Sequence, residues 1–166
     1  MAATVLIREK NGAGETATDK TSGTVRFKNA DNATVDIVNP MVVPAAPGFD
    51  YSYEKYLRPN VAGTYTEISN VRWYSDGGNG LGTGVEVYAK AVGSYTQPAE
   101  ASSISGYTDL FSYTSGSPLD GDGINTGPFT GSGDKADYIV LICRVAETAS
   151  QGIPTAETLT LSWDEI

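Results

Sequence analysis

One loop of the sequence carries side chains that could bind a metal ion. Residues 117–127 read SPLDGDGINTG, and their glycines allow the backbone to fold around an ion. The oxygen donors are Asp120, Asp122 and Asn125. The helical calcium loop also needs a donor at its fifth position and a glutamate at its twelfth. Those positions hold Ile124 and Gly131, so we predict an Asp–Gly turn and no metal site, with these three residues as the weak candidates.

A second stretch has the glycine content of a phosphate-binding loop. Residues 73–91 read WYSDGGNGLGTGVEVYAKA. Dinucleotide loops need glycines at relative positions one, three and six and a helix after them, whereas the position six counted from Gly78 is Thr83. The residues that follow alternate apolar and polar with period two, which is typical of a strand. We therefore predict a hairpin, with strands at residues 68–75 and 85–92 joined by a glycine-rich turn.

The composition argues against most catalytic chemistry. The chain of 166 residues has no histidine and one cysteine. This removes Ser–His and Cys–His pairs, most zinc sites and any intrachain disulfide. Cys143 lies within the apolar segment DYIVLICRVAE, which offers no partner base, so we predict a buried and unreactive thiol. We expect a protein that is not an enzyme, with no catalytic residue and no cofactor.

Aromatic side chains offer a different chemistry, the stacking of rings on a carbohydrate. The candidates are Tyr51, Tyr53, Tyr56, Trp73, Tyr74, Tyr88 and Trp163. Stacking requires several of them to face outward on one sheet, whereas aromatic residues on strands more often pack in a core or against a neighbouring strand. We favour the core interpretation and keep a carbohydrate-binding module as an alternative.

Charge and hydropathy argue against nucleic acid and membranes as partners. The net charge is −9, and residues 91–166 hold ten acidic and two basic residues, a net of −8. An acidic chain without a basic stripe is a poor candidate for binding nucleic acid or an anionic membrane. The N-terminal sequence MAATVLIREKNGAGE lacks the features of a signal peptide, and we expect no membrane span. We expect the acidic half to face solvent or a basic partner.

The elements that position these residues are short strands. Apolar alternation or apolar runs predict strands at 4–8, 24–28, 34–38, 51–57, 68–75, 85–92, 138–147 and 159–164. Residues 138–147 are nearly all apolar, which predicts a central strand, and a short helical turn fits within 100–112. We predict one all-β domain over residues 1–166, a β-sandwich of jelly-roll type. Residues 39–50 and 93–134 would be long crossover loops, and 1–23 an N-terminal arm.

A proline-rich segment is the main candidate for partner contact. Residues 40–49 read PMVVPAAPGF, and three prolines in ten residues exclude a helix or a central strand. This segment is either an exposed arm for a partner or a crossover loop over the open end of the sandwich. The N-terminal MAATVLI could add as a strand to a neighbouring subunit. The candidate contact residues are Val5, Ile7, Met41, Val42, Val43 and Phe49.

Three stretches within residues 50–166 carry a resemblance to a known family: YSYEKYLRPNVAGTYTEISNVRWYSDG, then GTGVEVYAKAV with YTQPA, and the closing DYIVLICRVAETASQGIPTAETLTLSWDE. On these stretches the chain resembles the β-sandwich virion proteins of tailed bacteriophages. It implies a jelly roll that decorates the outer surface of the capsid as a cement protein, after assembly in the host cytoplasm. The implied partners are the major capsid protein and copies of the chain itself, commonly in a homotrimer. Related sandwiches occur in tails and fibres, so a carbohydrate- or receptor-binding module there is the alternative.

Overall fold

The computed structural model describes residues 2–166, within which there are eleven β-strands and one short 3₁₀ helix. The strands are β1 (Ala3–Asn11), β2 (Thr16–Asp19), β3 (Phe49–Tyr51), β4 (Lys55–Gly63), β5 (Ile68–Tyr74), β6 (Val85–Val92), β7 (Thr108–Asp109), β8 (Leu119–Asp120), β9 (Gly133–Asp134), β10 (Tyr138–Ala146) and β11 (Thr160–Glu165). The helix, Leu110–Ser112, follows β7 and falls where a short helical turn was predicted.

The strands form two antiparallel sheets that pack as a β-sandwich. The larger sheet has eight strands in the order β2-β1-β4-β10-β6-β7, with β3 paired to β10 and β9 paired to β4. The smaller sheet has the order β11-β5-β8. The predicted all-β class is therefore confirmed. A jelly roll has two sheets built from eight strands in two Greek keys, and this division into eight and three strands does not confirm that detail.

Strand β10 lies at the centre of the larger sheet, as its sequence predicted. It pairs with β3, β4 and β6 and is buried over almost its whole length. One of its faces contributes Ile139, Leu141 and Cys143 to the main core between the two sheets. The other face is covered too, because Tyr138 and Val140 pack under partly buried tyrosines. A strand covered on both faces carries a continuous apolar run in place of alternation.

Strands β5 and β6 do not form the predicted hairpin. Their bounds agree with the predicted strands, but β5 belongs to the smaller sheet and β6 to the larger one. The glycine-rich segment between them therefore crosses from one sheet to the other. Gly84 sits in this crossing with φ +75°, and a Cβ atom there would lie 2.7 Å from the Ala149 nitrogen. The alternation of apolar residues located both strands correctly, but it does not specify which strands are neighbours.

Most of the predicted N-terminal arm belongs to the larger sheet, because residues 3–11 and 16–19 form its strands β1 and β2. Strand β1 pairs with β4 through eight residue pairs, from Ala3–Gly63 to Lys10–Tyr56, and β2 pairs with its other edge. Residues 93–134, predicted to be a crossover loop, contain the 3₁₀ helix and strands β7, β8 and β9. Because β7 and β9 lie in the larger sheet and β8 in the smaller one, these residues do connect the two layers.

Residues 20–48 form no regular strand, so the strands predicted at 24–28 and 34–38 are wrong. Val25 and Phe27 pack against the main core, but Val35 and Ile37, which the alternation placed inward, are exposed. The physical reason lies in the main-chain hydrogen bonds, because the carbonyl groups of residues 24, 32, 33 and 34 are bound by lysine side chains and not by a neighbouring strand.

Three buried lysines hold the segment through three consecutive carbonyl groups. The carbonyl oxygens of residues 32, 33 and 34 accept hydrogen bonds from the Nζ atoms of Lys55 (2.9 Å), Lys20 (2.8 Å) and Lys28 (3.1 Å), in that order. Lys20 also donates to the carbonyl oxygen of Thr24 at 2.8 Å. All three lysines are buried. Hydrogen bonds to ionised donors are stronger than those between neutral groups, so these contacts can replace a strand ladder here.

Glu9 supplies the negative charge at the centre of this lysine cluster, which comprises Glu9, Lys20, Lys28 and Lys55. Its carboxylate has no exposed surface and lies 3.5 Å from the ammonium groups of both Lys20 and Lys55. Burial disfavours the charged form of each partner, so it raises the pKa of Glu9 and lowers the pKa of Lys55. Attraction between the opposite charges acts against both shifts.

We expect Glu9→Gln to lower the free energy of unfolding by about 3–5 kcal/mol, because two buried ammonium groups lose their counter-charge. Urea denaturation followed by tryptophan fluorescence measures this loss. The control is Glu100→Gln, which neutralises an exposed carboxylate and should change stability by no more than about 0.5 kcal/mol. A loss for Glu9→Gln that is no larger than the control would show that the native cluster does not depend on an ionised Glu9.

Candidate docking surface

Five large apolar side chains are exposed on one segment of the chain. They are Val35 (55% exposed), Ile37 (78%), Val38 (59%), Val42 (56%) and Phe49 (50%). We call this set the apolar ridge. Residues 2–166 contain three other exposed large apolar side chains, and these lie far away in sequence, at positions 124, 153 and 166. A concentration of exposed apolar side chains usually marks a contact surface.

A side-chain contact joins Val42 of the ridge to the residue after Phe49. The Val42 N–H donates to the Asp50 carboxylate at 2.7 Å, which places Val42 beside the residue that follows Phe49. The Phe49 ring packs on the Arg144 guanidinium, 4.4 Å from the ring centroid. Arg144 is itself bound by Glu86, to which its Nε donates at 2.7 Å. Phe49 is therefore held at a fixed position at the edge of the larger sheet.

The six predicted contact residues fall into two groups. Val42 and Phe49 are exposed in the ridge. The other four are partly buried and pack inward; Val5 packs against a smaller apolar cluster, and the three that pack against the main core are Ile7, Met41 and Val43. In an extended segment neighbouring side chains point in opposite directions, so Met41 and Val43 anchor the segment while Val42 faces outward. Contact with a partner stays a prediction for all six.

The sequence reasoning missed the other three members of the ridge. Val35, Ile37 and Val38 were interpreted as part of a half-buried strand. One signal could have found them, because the adjacent pair Ile37 and Val38 breaks the period of two just before Asn39-Pro40. A run that ends in two adjacent apolar residues and a proline is a weak strand candidate.

The candidate metal loop is organised by a buried carboxylate that the sequence reasoning did not select. Asp137 has no exposed surface and accepts hydrogen bonds from the main-chain N–H groups of Ile124 (2.9 Å) and Asn125 (2.7 Å). The Asn125 side chain turns inward as well and donates to the Gly93 carbonyl oxygen at 2.9 Å. Asp137 therefore binds the main chain of this loop directly.

The two aspartates of the loop do not meet Asn125 around a common point. The Asp120 carboxylate accepts the Asp122 N–H at 3.1 Å, and the Asp122 carboxylate accepts the Val71 N–H at 3.2 Å. Burial, together with the neighbouring Asp120, raises the pKa of Asp122. Over residues 2–166, no group of three or more His, Cys, Asp or Glu side chains is arranged to hold a metal ion.

The seven aromatic candidates do not present an exposed stacking surface. Tyr56 and Trp73 are buried, and the other five are partly buried. Tyr56 instead contacts Tyr95 and Tyr138 edge-on, at centroid distances of 5.1 and 5.9 Å. These rings cover the outer face of β4 and β10. The core interpretation therefore describes them better than a row of rings open to a sugar.

The buried thiol predicted at Cys143 is confirmed. Burial, with smaller contributions from the carboxylates of Asp50 and Glu86, raises the pKa of Cys143 to about 12. Since the thiolate is the reactive form, this group is a poor nucleophile at neutral pH. Its side chain acts as part of the main core.

The chain is thus an all-β sandwich with an exposed apolar ridge beside the larger sheet. No protein-family model matches it, and neither a curated protein nor a solved structure does. Within residues 2–166, no helix has the length and apolar character needed to cross a membrane. The resemblance to phage virion proteins therefore remains a prediction from the sequence.

We expect the fold to be insensitive to calcium and sensitive to Asp137. Asp137→Ala should lower the free energy of unfolding by about 2–3 kcal/mol, because two main-chain N–H groups lose a charged acceptor.

The melting temperature of the unaltered protein should be the same with calcium and with a chelator. A rise in melting temperature with calcium that Asp120→Asn abolishes would instead show that the loop binds a cation.

Proposed function

We propose that the protein is a non-enzymatic structural component of a bacteriophage virion, a capsid decoration protein that binds the outside of the head and stabilises it. The observation that carries the proposal is the apolar ridge, whose five side chains are half or more exposed on a segment anchored to the sandwich. The resemblance of residues 50–166 to phage virion sandwiches supports the same function. The partners would be the major capsid protein and copies of the chain itself in a homotrimer.

The charge distribution favours docking through the ridge. Residues 35–49 contain one charged side chain, Asp36, in a chain of net charge −9. Asp36 accepts a hydrogen bond from the Lys28 ammonium at 3.0 Å, so its charge is already compensated. Covering this segment therefore desolvates little uncompensated charge, which is the main penalty on burying a polar surface. The acidic remainder of the chain would face solvent.

A small contact per subunit is enough for this function. Each apolar side chain that becomes buried contributes about 25 cal/mol per Å² of surface removed from water. A decoration protein repeats its contact at every equivalent position of a symmetric shell, and simultaneous contacts reinforce one another. The shell then gains stability in proportion to the number of bound copies, and no catalytic group is involved.

The alternative, a carbohydrate- or receptor-binding module of a tail or fibre, requires aromatic faces open to a ligand. The seven candidate aromatic residues are buried or partly buried. The one aromatic residue in the ridge is Phe49, which packs on Arg144. The exposed surface is thus mainly aliphatic, and this favours contact with an apolar protein surface over stacking on a sugar ring.

We expect the double substitution Ile37→Asp with Val42→Asp to weaken binding to head shells at least about tenfold, because two exposed side chains lose their apolar contact. The measurement is co-sedimentation with shells assembled from the major capsid protein of the phage that encodes this chain. The matched control is Ile153→Asp, which places the same charge at a side chain that is 79% exposed outside the ridge.

Binding of the double variant at the strength of the unaltered protein would contradict the proposed docking surface. Far-ultraviolet circular dichroism should show that all variants keep the same strand content. Substitution of Met41 or Val43 would be a poorer test, because both pack against the main core. A loss of binding in those variants would not separate docking from folding.

A further inference from the structure

The exposed part of the ridge is a loop with very few attachments to the sandwich. We call residues 34–40 the apolar loop; it contains Val35, Ile37 and Val38. Within residues 2–166, the hydrogen bonds between this loop and the rest of the chain involve three residues: Lys28 and Asn29 donate to the loop, and the Asn32 side chain accepts the Thr34 N–H. Lys28 donates to Thr34 and Asp36, and the main-chain N–H of Asn29 donates to the carbonyl oxygen of Asn39 at 2.9 Å.

The apolar side chains of the loop do not anchor it. All three are more than half exposed. The chain on either side is fixed, since the carbonyl group of residue 33 is bound by Lys20 and Met41 packs against the main core. The loop therefore spans two fixed points, and its conformation between them depends on Lys28 and Asn29.

Lys28 is itself firmly placed. It is 1% exposed, and its carbonyl oxygen accepts the Tyr53 N–H at 3.1 Å, which attaches it to the chain just before β4. Its ammonium group then reaches the loop at two points, the Thr34 carbonyl oxygen at 3.1 Å and the Asp36 carboxylate at 3.0 Å. These two contacts hold the main chain just before Val35 and the side chain of the residue just after it.

We propose that Lys28 is the positioning residue of the docking surface: its buried ammonium group holds the apolar loop in shape, and without it the loop leaves the sandwich while the two sheets stay folded. The inference rests on the proposed function for what the loop contacts, but the holding itself is a property of the isolated protein. A loop held by a cation through a carbonyl oxygen and a carboxylate can keep its apolar side chains outward, which an apolar anchor would not allow.

The test is limited proteolysis with thermolysin, which cleaves before apolar residues and can therefore cut at Ile37 or Val38. We expect Lys28→Met to increase the rate of cleavage within residues 34–40 at least about tenfold, since cleavage follows the population of the open loop and two bonds to a charged donor are lost. The matched control is Lys90→Met, which removes a partly exposed lysine from β6 and should leave that rate unchanged. Mass spectrometry of the fragments locates each cut.

Asp36→Asn provides a second variant that preserves the fold, because the Asp36 side chain lies at the surface and Lys28 keeps its bond to Thr34. We expect its rate of cleavage within residues 34–40 to lie between the rates of Lys90→Met and Lys28→Met. Cleavage of Lys28→Met at the rate of the control would overturn the proposal. Cuts spread through β4 and β10 with no preference for the loop would also overturn it, because Lys28 would then support the whole fold.

Binding to head shells separates this inference from the proposed function. If both hold, Lys28→Met reduces co-sedimentation as Ile37→Asp with Val42→Asp does. If that double variant, which we call the ridge variant, binds as the unaltered protein does, the proposed docking surface is wrong, whatever the proteolysis shows. If the ridge variant loses binding but Lys28→Met keeps both its resistance to thermolysin and its binding, the positioning role of Lys28 fails alone.

Discussion

The conformation of residues 20–48 depends on cations buried in a place where a β-sandwich usually has a strand ladder. Carbonyl groups removed from water must find donors, and here three consecutive ones find lysine ammonium groups instead of neighbouring N–H groups. Glu9 on β1 balances two of these charges, and Lys55 on β4 brings one of them from the sheet itself. The lysine cluster thus ties an irregular segment to β1 and β4, which pair with each other through eight residue pairs in the larger sheet.

Because lysine side chains hold this segment, the path of its backbone does not require alternate side chains to face the core. In a strand, one face of the segment would have to turn toward the core, as the alternation at residues 34–38 suggested. Bonds from Lys28 to the Thr34 carbonyl oxygen and the Asp36 carboxylate place no such demand on the apolar side chains, so Val35, Ile37 and Val38 can all remain exposed. Beyond the loop the ordinary rule returns, because Met41 and Val43 face the core and Val42 faces outward.

The sequence predicted the parts of the fold that depend on periodicity. Strand bounds at β5 and β6 and the central position of β10 follow from which residues are apolar. The pairing of strands could not be predicted in this way, because alternation shows which side chains share a face but not which strand lies alongside. The prediction therefore joined β5 and β6 in a hairpin that the structure does not have. The strand predictions within residues 24–38 were wrong for a related reason. The donors to the carbonyl groups there include Lys20 and Lys55, and nothing local in the sequence reveals those contacts. For the candidate site, the sequence located the segment around Val42 but not Ile37.

A buried ionic cluster is not the arrangement that stability alone would favour. Replacing buried charges with well-packed apolar residues often leaves a protein equally stable or more so. In this chain an apolar side chain at position 28 could not donate to the Thr34 carbonyl oxygen and the Asp36 carboxylate, as the Lys28 ammonium group does. The buried lysine therefore makes a loop with Val35, Ile37 and Val38 exposed compatible with a folded sandwich. In the function that we propose, this is how the interior of the protein determines the surface that meets a partner.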